Sequence, residues 1–140
     1  MNFASDTTAP AHPDVLAAVV AANTGSAPSY GSDDWTAQAH QALSALFETD
    51  ALAVTFVSSG TAANALALSL LCPPDGAIVC HENAHINRDE RGAPEFYTHG
   101  GKLILLSGMH DLIGPEAVQA ALKTMDRTFV HETPADVLSL

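Results

Sequence analysis

The chain has 140 residues, of which 47% are hydrophobic, 6% aromatic and 15% charged, with 16 acidic against 5 basic side chains and a net charge of -11. That length suits one domain, and the apolar content argues against a disordered chain. Five scattered basic residues argue against a nucleic-acid partner, and two cysteines are too few for a disulfide scaffold.

Taken in chain order, residues 13–23 predict a helix, with Pro13 in the first turn, Asp14 at the positive end and Gly25 as the stop. Residues 27–34 read as a loop. Ser32 or Asp33 can cap a second helix over 35–47, whose stripe of Trp35, Ala39, Ala42, Leu43, Leu46 and Phe47 is expected to pack into a core. Residues 51–57 (ALAVTFV) read as a strand and Ser58 to Thr61 as a turn. Residues 62–71 read as an apolar helix ended by Pro73 and Pro74. A strand is expected at 77–80, an irregular polar stretch at 81–101 and another strand at 102–106. Gly114, Pro115 and Glu116 open a helix to about Met125. Residues 129–131 and 137–140 look like further strand starts.

Apolar strands alternating with helices predict an α/β fold, a three-layer α/β/α arrangement around a mostly parallel sheet. The longest apolar stretch, residues 62–72, is broken by Asn64 and Ser69 and is too short for a bilayer. No secretory leader is recognisable, so a cytoplasmic location and no membrane partner are expected, with Cys72 and Cys80 as buried reduced thiols. The chain stops inside an apolar strand, which suggests a fragment of a longer protein.

Three local patterns could carry chemistry. Ser59-Gly60-Thr61 lies between a strand and a helix, where unpaired N–H groups and the helix dipole offer an anion seat. An ordinary Ser cap is the plainer alternative. His81-Glu82-Asn83-Ala84-His85 follows a strand and has the spacing of a zinc-protease motif, but it lacks the amphipathic helix which that motif needs; no metal is expected, and His81 reads as a surface histidine. Ser5-Asp6-Thr7 and Tyr30-Gly31 to Asp34 are polar loops.

The order of these pieces carries more than any one of them. Ser5-Asp6-Thr7, Tyr30-Gly31-x-Asp33-Asp34, Ser59-Gly60-Thr61-Ala62-Ala63-Asn64, Ala84-His85, Glu90, Gly92-Ala93 and His131 follow one another along the whole chain. That succession resembles the N-terminal part of the threonine aldolase family, pyridoxal-phosphate enzymes of the aspartate-aminotransferase-like fold within the β-eliminating lyases. The resemblance implies that residues 1–140 are the N-terminal part of the large pyridoxal 5'-phosphate domain. It implies that Ser59, Gly60 and Thr61 hold the cofactor phosphate. His85 would stack on the pyridine ring and take part in catalysis. His131 would be a second catalytic histidine, and Ser5 would hold the substrate carboxylate. Tyr30, with Asp33 and Asp34, would reach a neighbouring subunit's site, implying a homo-oligomer, dimer or tetramer. Glu90 would lie near the cofactor without an assigned role.

The implied reaction splits a β-hydroxy-α-amino acid such as threonine into glycine and an aldehyde. Where the family has Arg before Ser-Asp-Thr, this chain has Ala4. The family's Schiff-base lysine, its pyridine-pairing Asp and its carboxylate-clamping Arg come later than Leu140. Lys102 and Lys123 do not occupy the lysine's position, so the 140 residues alone are expected to be inactive. The alternatives are a non-catalytic α/β remnant or interaction module, and a β-eliminating lyase or racemase of the same fold.

Overall fold

The computed structural model describes residues 8–125 and 127–140, which divide into two compact units at the step from Thr55 to Phe56. Ser5 lies outside the described residues.

The first unit holds α1 (Pro13–Ala22) and α2 (Asp34–Leu46). Pro13 opens α1, where its missing N–H costs nothing, and His12 Nδ1 accepts from Asp14 N at 3.3 Å. Of the two candidate caps for α2, Asp33 takes the position. Its Oδ1 accepts from Thr36 N at 2.8 Å and its Oδ2 from Thr36 Oγ1 at 2.8 Å. The expected core packing of the α2 stripe is not seen. No residue of α2 is buried, with Leu46 73% and Phe47 62% exposed. An amphipathic stripe shows only that a helix can cover an apolar surface; within this unit neither helix buries a residue.

The second unit contains α3 (Gly60–Leu71), β1 (Ala77–His81), α4 (His85–Arg88), α5 (Ala93–Tyr97), β2 (Lys102–Leu106), α6 (Pro115–Lys123) and β3 (Ala135–Leu138). The sheet order is β2-β1-β3, and both pairings are parallel. The central strand β1 is buried at every residue, as an apolar run covered on both faces should be. Ile78 and Cys80, two apart and so on one face, pack with Leu68 and Cys72 of α3 and Ile86 of α4. Gly76 leads into β1 through a space where a Cβ would meet the Asp136 carboxylate and the Pro73 ring.

Two expected strands are absent. Residues 51–57 form no strand, although their composition favours one, because a strand exists only where a ladder partner is found, and the sheet consists of β1, β2 and β3 alone. Residues 129–131 are turn and bend; the strand begins later, at Ala135. The polar stretch 81–101 holds the short helices α4 and α5. Arg91 and Gly92, at φ 50 and φ 76, turn the chain between them. No helix among the described residues is long and apolar enough to cross a membrane.

Candidate active site

In a parallel sheet, ligands gather beyond the C-terminal ends of the strands. There β1 ends at His81 and the chain passes through α4. Ahead of β1, α3 begins at Gly60. Ser59 is extended and its Oγ accepts from Ala62 N at 3.2 Å, while Ser59 O accepts from Ala63 N at 3.1 Å. The amides of Gly60 and Thr61 therefore precede the first helical bonds and have no backbone acceptor among the described residues. A Cβ built on Gly60 meets nothing within 4 Å. Two donors at the positive end of a 12-residue helix, with open space before them, fit a phosphate. The Ser cap and the anion seat are thus the same turn.

One helical turn further on, Asn64 lies on the same side of α3 as Gly60. Its Nδ2 donates to Glu90 Oε1 at 2.7 Å, and that oxygen lies 2.7 Å from His85 Nδ1. The Glu90 carboxylate is fully buried, whereas the His85 side chain is 61% exposed. The ring is thus held at Nδ1 while most of the side chain is exposed. Glu90 Oε2 is buried and unpartnered. Asn64, quoted in the sequence only as part of a motif, joins the anion turn to the histidine. No local pattern marks that role, because the partner is 26 residues away.

His81 is not the surface histidine expected. As the last residue of β1 it is buried, since the strand continues under the sheet's cover for one residue more than its apolar run. Its Nδ1 accepts from Asn83 N at 3.0 Å, its Nε2 is unpartnered, and Asn83 Nδ2 donates to Asp111 Oδ1 at 2.9 Å. His81 ends a strand while His85 starts a helix, so the zinc-protease spacing does not present both rings from one helix. The described residues hold no group of three or more His, Cys, Asp or Glu placed for a metal.

His131 lies exposed in the turn before β3, its ring edge-to-face with Phe129 at 5.5 Å between centroids. No hydrogen bond among the described residues joins it to His85 or to the α3 turn. Tyr30, in the first unit, is fully exposed with a left-handed φ of 62. Burial pushes the thiols of Cys72 and Cys80 up, with Asp136 and Asp75 adding to the first and Glu95 to the second.

A parallel sheet, an open helix end behind a Ser-Gly-Thr turn and a carboxylate-anchored histidine define an α/β domain with its ligand side at the strand C-termini. Residues 2–140 match the Beta-eliminating lyase family, and the chain belongs to it. It is 43% identical over 140 residues to a low specificity L-threonine aldolase of Pseudomonas aeruginosa, covering 99% of this chain and 39% of that protein. A low specificity L-threonine aldolase of Pseudomonas sp. is 43% identical over 126 residues, 89% of this chain and 36% of that protein. The fold is also that of a Leishmania major threonine aldolase structure. The TM-score is 0.81 at 26% identity, over 91% of this chain and 36% of the other. The chain thus spans between a third and two fifths of the relatives it matches.

Proposed function

We propose that this chain is the N-terminal part of the large domain of a pyridoxal 5'-phosphate aldolase that cleaves threonine-like β-hydroxy-α-amino acids to glycine and an aldehyde. The observation that carries the reading is the hydrogen-bonded path from α3 through Asn64 and Glu90 to His85, which ties an open anion seat to an exposed imidazole. The names of the 43% identical relatives support the substrate class. In a reading of this kind the cofactor supplies the electron sink for the carbanion left at Cα.

The chain's own residues supply the rest. The Gly60 and Thr61 amides, with the Thr61 hydroxyl, bind the phosphate. The apolar faces of the His85 ring cover the pyridine. Its exposed nitrogen takes the proton of the substrate's β-hydroxyl as the Cα–Cβ bond breaks and the aldehyde leaves. His131 and Ser5 are kept as candidates for the substrate's hydroxyl and carboxylate. Tyr30, fully exposed, suits a contact with another subunit's site in a homo-oligomer. Two buried, unbridged thiols suit a reducing, cytoplasmic setting.

The test is an NMR titration of the chain with pyridoxal phosphate and with pyridoxal. Pyridoxal phosphate should shift the Gly60 and Thr61 amides and the His85 ring, and pyridoxal should leave the two amides in place. Amides that ignore the phosphate overturn the assignment. In the whole protein, His85→Ala should slow threonine cleavage by roughly 100-fold or more, the scale of a lost acid–base group. Unchanged turnover would remove His85 from the chemistry.

A further inference from the structure

We propose that Asn64 and Glu90 are positioning residues for His85. They hold its ring with the proton on Nδ1 and so present Nε2 as the basic nitrogen. The inference rests on the reading of His85 given above and adds which atom acts and what fixes it.

One oxygen ties the three side chains together. Glu90 Oε1 lies 2.7 Å from Asn64 Nδ2 and 2.7 Å from His85 Nδ1. An amide nitrogen can only donate, so this oxygen accepts from Asn64. A carboxylate oxygen has no proton to give, so at 2.7 Å it is Nδ1–H that donates to the same oxygen. The opposite tautomer would set the Nδ1 lone pair against an oxygen lone pair at 2.7 Å.

The surroundings hold Glu90 in place. Its side chain is fully buried, so a carboxylate without its two donors would carry a heavy desolvation cost. The backbone ring from Asp89 N to His85 O, 2.9 Å, closes the turn behind it. Arg91 and Gly92, both left-handed, then carry the chain away into α5. Asn64 comes from a different element, α3, on the side of the Gly60 amides. A tautomer fixed by a carboxylate on the far nitrogen is how an imidazole is kept ready as a base. Nε2 is the ring nitrogen not bonded to Glu90, on a side chain 61% exposed, and is the atom that would meet the substrate hydroxyl.

Long-range proton–nitrogen NMR on the histidine-labelled chain reads the tautomer directly, with His85 assigned from a His85→Gln spectrum. The wild-type chain should show His85 with its proton on Nδ1. In Glu90→Leu no acceptor faces Nδ1, so the Nδ1–H form should give way to Nε2–H, whereas Glu90→Gln keeps an oxygen that Asn64 and Nδ1–H can share and should retain it. Glu90→Asp should recover part of the Nδ1–H form, and Asn64→Ala should give a mixture. Native amide shifts at Ile78 and Val79 certify folding in each variant. Should Glu90→Leu fail that check, Asn64→Ala decides.

An Nε2–H tautomer in the wild type overturns the proposal, as does an unchanged tautomer in folded Glu90→Leu or, where that variant does not fold, in Asn64→Ala. The readout needs no cofactor. Loss of the tautomer with the Gly60 and Thr61 shifts intact sinks this inference alone. Missing shifts with the tautomer intact sink the functional reading alone.

Discussion

Single residues in this chain act through the partners their positions allow. Asp33 is a clear case. Thr36 donates to it from backbone and hydroxyl, and those bonds, the backbone one first, hold its carboxyl below the ordinary aspartate value of 3.8. A group whose folded pKa lies below its unfolded one stabilises at pH above the unfolded value and loses that contribution as pH falls through the folded value. The Thr36 amide signal should therefore move toward its uncapped position only below about pH 4. Asp33→Asn keeps an acceptor at the cap and should abolish the pH dependence while retaining α2. A Thr36 amide that titrates identically in Asp33→Asn would refute the cap. Cys72 and Cys80 make the converse case: burial raises both thiols, so neither offers much thiolate near neutrality. Iodoacetamide at pH 8 should leave both unmodified in the native chain and label both in urea. Native labelling at the denatured rate would show that the thiols are reached without unfolding.

At the level of elements, what was legible depended on how local the cause was. Helix starts at Pro13, Asp33 and Pro115 are set within a turn of chain and stand where the residues indicate, whereas α3 starts at Gly60, ahead of the expected helix over 62–71, because Ser59 caps it. The strand at β1 was legible because a doubly covered strand is a continuous apolar run, and β2 because its own apolar run pairs with β1, although none of its residues is buried. Residues 51–57 have the same composition and no ladder, a difference that depends on distant partners. The burial of His81 and the Asn64–Glu90 bond were invisible for the same reason, since each is decided by a contact between elements. Two substitutions test the element level. Ile78 is completely buried in the α3–β1–α4 cluster, so Ile78→Ala should cost about 2–5 kcal/mol, read as a lower urea midpoint. Ser59→Ala removes the Oγ acceptor of Ala62 N and should cost about 1 kcal/mol of helix stability, with weaker pyridoxal-phosphate shifts at Gly60. A midpoint for Ile78→Ala equal to wild type would mean that the cluster is not the core of its unit.

For the molecule as a whole, charge and apolar surface oppose each other. The chain carries a net charge of -11, which keeps copies apart at low salt. It also exposes Val19 and Val20 on α1, Leu46 and Phe47 at the end of α2, and Leu70 and Leu71 at the end of α3. The sheet order β2-β1-β3 leaves one side of β2 and one side of β3 without a strand partner among the described residues. Unpaired strand edges and apolar patches favour association, and their attraction is not weakened by salt. Charge repulsion is, because the screening length falls to about 10 Å at 0.1 M and about 3 Å at 1 M. Sedimentation velocity should therefore show a chain that is mostly monomeric in dilute buffer and associates increasingly as sodium chloride is raised. A dye that fluoresces on apolar surface should bind the monomer and be displaced on association. A monomer that persists at every salt concentration and binds no dye would mean that these side chains are covered in solution.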